Sequence, residues 1–127
     1  MSTINKIDMQ TANAVAQVVT NGAHRERIVF IQRSDAMAPE IPIGAVVVVD
    51  TSITWCAKSG GLYLLNIAAD PAQSIARHQS IKRLSKHDLE DLYRVSCANQ
   101  YYQSYDAPGA ELDIAGMVVG SIQCFEH

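Results

Sequence analysis

A chain of 127 residues, 48% hydrophobic and 18% charged, has the make-up of one globular domain with a core and no room for a second. Its formal net charge of −3 supplies no basic field for a phosphate backbone, which argues against a stand-alone nucleic-acid binder and puts any DNA-reading part elsewhere. The longest unbroken apolar run, Ala45 to Val49, falls far short of the ~20 residues that cross a bilayer, and the opening MSTINKIDMQ lacks a signal-peptide core. A soluble, cytoplasmic protein is expected.

Three cysteines, Cys56, Cys97 and Cys124, are widely spaced, with no CxxC pair and no Cys/His cluster of metal-ligand spacing. That pattern fits a reduced protein, with no metal site and no cofactor expected.

Along the chain, Met9 to Thr20 sets Ala14, Val15, Val18 and Val19 at helical spacing before Asn21-Gly22, which permits a short helix. The stripe covers less than two turns and is mostly β-branched valine, so an extended tail fits equally well. Residues 1–26 are read as a tail or linker and 27–127 as the domain. From Arg27 onward, short β-branched runs alternate with Gly, Pro and polar clusters, the pattern of strands and turns. The expected strands are Arg27–Gln32, Ala45–Asp50, Gly61–Ala68, Ser74–Leu84, Leu92–Ala98 and Ile114–Phe125. Asp106-Ala107-Pro108-Gly109 is read as a turn between the last two. The implied fold class is mostly β: a small domain of twisted antiparallel sheets or a partial barrel.

Two stretches carry chemistry. Ser34 to Asp50, SDAMAPEIPIGAVVVVD, is a loop held by Pro39 and Pro42, a Gly44 turn, and a valine strand. Such a loop would hold Asp35, Ala36 and Met37 rigidly at a sheet edge. In SIKRL, Ser80 to Leu84, strand alternation puts Lys82 on the face of Ser80 and Leu84, with Ile81 and Arg83 on the other. Two roles are open to Lys82: a general base, which requires the neutral amine, or a snorkelling side chain with its stem buried and its ammonium in water.

Taken together, these stretches resemble the self-cleaving Ser-Lys peptidase domain shared by LexA, UmuD and the C-terminal domains of phage CI-type repressors. SDAMAPEI followed by IGAVVVVD is similar to that family's Gly-Asp-Ser-Met-x-Pro loop and the strand after it, and Ile81-Lys82-Arg83-Leu84 to its Val-Lys-Arg-Leu strand. GGLYLLNI, DTSIT (Asp50–Thr54) and IAGMVVGSIQ (Ile114–Gln123) resemble further segments in the same order. The resemblance implies a LexA-like fold, Lys82 as general base, and Met37, Pro39 and Gly44 as loop supports. It puts Ala36 at the position of the nucleophilic serine. A methyl group has no oxygen to attack a carbonyl, so the chain as written forms no acyl-enzyme by this route. Ser34 is the nearest hydroxyl, but two residues away its direction in the loop should differ. The family's Ala-Gly or Cys-Gly cleavage dipeptide is also missing upstream of Ala36. Either that bond lay before Met1 or the protein never cut itself. Ala36 is then an introduced change that keeps the domain intact, or a natural loss of cleavage.

Other candidates read as structural. His24, His78, His87 and His127 are scattered and expected at the surface. Tyr101, Tyr102 and Tyr105 could stack on a ligand, with packing the preferred role. Arg25, Arg27 and Arg33 form a loose basic group broken by Glu26, and Cys56 has no neighbouring base in sequence.

The function implied is a C-terminal oligomerisation and regulatory domain of a phage or LexA-like repressor, with its Ser-Lys autoproteolysis site inactive. A UmuD-like accessory subunit of a translesion polymerase, or a free-standing dead regulator of a related repressor, is the alternative. The partners implied are a second copy of the chain and a RecA-type co-protease or an antirepressor. DNA would be reached only through an N-terminal domain that these residues lack.

Overall fold

The structure, a computed structural model, describes residues 26–88 and 91–123. The expected helix within 9–20, most of the 1–26 tail, His24, Arg25, Cys124, Phe125 and His127 lie outside the described residues. Within them the chain forms seven strands: β1 (Arg27–Ile31), β2 (Val46–Asp50), β3 (Gly61–Ile67), β4 (His78–Lys86), β5 (Leu92–Ser96), β6 (Tyr105–Pro108) and β7 (Ile114–Ile122). They make one antiparallel sheet in the order β1-β2-β7-β3-β4-β5-β6. The mostly-β antiparallel class is therefore found, as a single open sheet and not a closed barrel, since β1 and β6 are its two ends.

Both faces of the sheet are covered because the central strands alternate apolar residues to either side. Leu64 and Ile81 join Met37, Ile41, Ala45, Val47 and Val49 in one buried cluster, which roofs one face with the loop that follows β1. Tyr63, Leu65, Leu84, Val95 and Ala107 form the second cluster on the other face. The alternation expected around Lys82 is present, with Ile81 in the first cluster and Leu84 in the second. At the centre, Gly116 runs so close to β2 that a Cβ there would stand 2.5 Å from Val49 Cγ1 and 2.7 Å from the Asp50 carbonyl oxygen.

Two sequence expectations are corrected. Asp106-Ala107-Pro108 is not a turn but most of β6, paired with Leu92–Val95. Proline is tolerated there because it ends an edge strand, where its missing N–H breaks no ladder, and Ala107 is buried in the second cluster. The strand expected from Ser74 begins only at His78. Pro71–Gln73 form a single 3-10 turn, and Ser74 closes it at φ 56°, a left-handed conformation that a strand cannot contain. Asp70 and Ile75 bridge across this turn through two backbone hydrogen bonds of 2.8 and 2.9 Å.

Candidate functional site

The loop between β1 and β2 is stapled at its base. Gln32 N–H donates to the Ala45 carbonyl (3.0 Å), Gly44 N–H donates to the Gln32 carbonyl (2.7 Å), and Gly44 sits at φ 92°, where a side chain would be strained. Inside the loop, Ala38 N–H reaches the Asp35 carbonyl (3.1 Å) and Ile41 N–H the Met37 carbonyl (2.7 Å). The Ala38-Pro39 peptide is cis. Met37 points into the first core cluster with no exposed surface, which anchors the loop by its apolar side chain. Of the expected loop supports, Met37 and Gly44 have clear physical roles, and Pro39 stands at the bend between them. Ser34 Oγ accepts the Ala36 N–H at 3.2 Å, so this hydroxyl braces the loop backbone.

A second loop, after β5, clamps the first. Asn99 N–H donates to the Ala36 carbonyl (2.9 Å), and Asn99 Nδ2 to the Asp35 carbonyl (3.0 Å). Tyr102 OH donates to Asp35 Oδ1 (2.6 Å), and Ala98 N–H approaches Met37 Sδ (3.5 Å). The carboxylate beside it holds the Tyr102 phenol above its ordinary pKa, because ionising would forfeit the donated hydrogen bond and set two anions together. On the far side, Arg83 Nη2 meets both carboxylate oxygens of Glu40 at 2.5 and 2.6 Å. Both groups are substantially exposed, so the pair guides the loop more than it stabilises the fold.

This clamp brings together the two residues singled out from sequence. Ala36, 3% exposed, and half-buried Lys82 line one cleft of about 500 Å3, together with the end of β1 (Phe30 and Ile31), the start of β4 and Tyr102. Lys82 reaches it where β5 ends: Arg83 pairs with Ser96, and beyond that pair the second loop leaves the sheet. There Nζ donates to Cys97 Sγ at 3.3 Å and stands 6.0 Å from the Tyr102 ring centroid. The site thus holds an amine and a position that carries a methyl group in one cleft. Position 36 offers no nucleophile.

The sequence does not mark Asn99 and Cys97 as site residues. The only sequence signal is a polar Asn in the tyrosine-rich stretch after β5. Of the three tyrosines, Tyr102 is tied to Asp35, Tyr105 is half exposed, and Tyr101 points outward at 90% exposure, so packing describes Tyr101 poorly. His78 lines the cleft, and His87 lies 2.9 Å from Asp106. Cys56 donates weakly to the Ala57 carbonyl, and burial pushes its thiol pKa up. Among the described residues, no three His, Cys, Asp or Glu side chains are grouped to hold a metal ion, and no helix is long and apolar enough to cross a membrane. The chain matches no protein-family model, and no curated protein sequence matches it significantly.

Proposed function

We propose that this chain is a self-associating regulatory domain on a scaffold like that of the Ser-Lys self-cleaving peptidases, of the kind found in the C-terminal half of a phage or LexA-like repressor, with hydrolysis silenced at position 36. The observation that carries this reading is the meeting of Ala36 and Lys82 in one cleft, on a loop held too firmly to be an accidental neighbour of the amine. With a hydroxyl at 36, neutral Lys82 would take its proton as the oxygen attacked a peptide carbonyl. The Lys82 ammonium would pass that proton to the amine as the C–N bond breaks and the acyl-enzyme forms, and water, giving a proton to the neutral lysine, would then release the acid half. With alanine, the cleft keeps its shape and loses the reaction. Regulation then works through what the domain binds, and a two-fold dimer would suit paired DNA half-sites.

The test is to restore the nucleophile. The Ala36→Ser variant, incubated at alkaline pH with a fluorophosphonate probe, should acquire one covalent label at position 36, located by mass spectrometry. The Ala36→Ser/Lys82→Met double variant should stay unlabelled. A folded Ala36→Ser variant that never reacts would sink the peptidase-scaffold reading, and light scattering that finds only monomer at micromolar concentration would sink self-association.

A further inference from the structure

The cleft is lined by basic side chains in a chain that is acidic overall. Arg33, His78 and Lys82 line it, and none of its lining residues is acidic, in a chain whose formal net charge is −3. Among the described residues neither Arg33 nor Lys82 has an ion-pair partner. Of the acids of the adjoining loop, Glu40 is ion-paired with Arg83, while Asp35 accepts a hydrogen bond from the neutral Tyr102 hydroxyl, which leaves its charge in place, and is not among the residues lining the cleft. His78 Nδ1 lies 2.8 Å from the Ala76 carbonyl, which must accept, so Nδ1 carries the proton and Nε2 is left for a ligand.

Its walls are strand backbone with spare edges. Among the described strands β1 pairs with β2 alone. β4 pairs with β3 from His78 onward, but β5 joins it only from Arg83, so among the described strands His78 to Lys82 has one edge without a neighbour. Unpaired strand edges recruit extended chain through main-chain hydrogen bonds, while side-chain pockets select the sequence. A small inorganic anion would use the cations and leave these edges empty.

We infer that the cleft seats an extended acidic segment of a partner polypeptide, its backbone along the free edge of β4 and a carboxylate between Arg33 and Lys82. This rests on the reading of the cleft as a binding site and names its ligand class. Without a hydroxyl at Ala36, such a segment is retained and not cut.

The experiment uses three fluorescein-labelled heptapeptide amides of alanine, valine and glycine that carry glutamate, glutamine or lysine at the centre. By fluorescence anisotropy at low ionic strength, the glutamate peptide should bind about tenfold more tightly than the glutamine peptide, and the lysine peptide most weakly. The gap should narrow as salt is added. Arg33→Glu/Lys82→Glu should reverse the order. On the unaltered protein, the glutamate peptide should shift amide NMR signals of Phe30–Arg33 and His78–Lys82, a readout that needs no variant to fold. Equal binding of the three peptides, no binding of any, shifts confined to other residues, or equally tight binding of a short oligothymidylate would each overturn the inference. Labelling of Ala36→Ser does not depend on peptide charge, so the peptidase-scaffold reading can stand while this one falls.

Discussion

The Lys82 ammonium donates to the Cys97 thiol across 3.3 Å, and among the described residues that sulfur is its single hydrogen-bond partner. An ammonium has three protons to place and sulfur is a weak acceptor, so most of its hydrogen-bonding capacity is left to whatever occupies the cleft that Lys82 lines.

Lys82→Met keeps the length of the side chain and removes the charge. Its melting temperature should stay within a few degrees of the parent's, because the one hydrogen bond lost is weak and the ammonium otherwise faces the cleft. A fall of more than about 5 °C in a calorimetric scan would assign Lys82 to the architecture and not to the cleft.

Met37 is the apolar anchor of the Ala36 loop. Met37→Ala should destabilise the domain by about 2–5 kcal/mol in urea unfolding, and Met37→Leu by less than about 1.5 kcal/mol, since volume is nearly conserved. The leucine variant loses the sulfur facing Ala98 N–H, so faster hydrogen exchange at Ala98 should accompany its small loss.

Tyr102 and Asp35 tie the two loops together, and the phenol titrates above its ordinary range because of the carboxylate. A raised folded pKa means that the neutral phenol contributes stability below the pKa of an unfolded tyrosine, about 10, and that this is lost as pH rises through the folded value. Absorbance titration near the tyrosinate band should show Tyr102 among the late-ionising phenols of the parent, beside Tyr63 and Tyr105, whose pKa values burial also raises, and one phenol fewer ionising late in Asp35→Asn. Superimposable curves would rule out the contact in solution.

At the other end of the sheet, Asp106 accepts from His87 Nε2 at 2.9 Å and Arg94 Nε at 2.8 Å, joining β4, β5 and β6 at the edge. These partners, His87 first, hold its carboxyl below the ordinary carboxylate pKa. A lowered folded pKa stabilises the fold above the unfolded value, near 3.9, and the contribution fades as pH falls through the folded one. The parent should therefore melt above Asp106→Asn at neutral pH, with the difference closing on acidification below about pH 4. The gap should be small, since Asp106 is exposed, and a gap that widens in acid would contradict the sign.

The sequence by itself determined most of the strands, because β-branched runs and Gly/Pro punctuation act over a few residues. The valine strand after Gly44 lies within one residue of its expected start, and β3 ends one residue early. It also drew attention to a lysine among apolar residues of a strand, and, through the resemblance alone, to the alanine before Met37. It hid β6, whose Asp, Pro and neighbouring Gly have the chemistry of a turn, because only pairing with β5 and burial of Ala107 make those residues a strand. Tertiary structure alone decided the sheet order, in which the last strand enters between β2 and β3. It alone set Asn99 on the carbonyls of residues 35 and 36, Cys97 on Lys82, and Arg33 across a cleft from His78. None of these relations has a local sequence signal. Each depends on which strand edges find partners, and that is settled by burial of two apolar clusters drawn from distant parts of the chain.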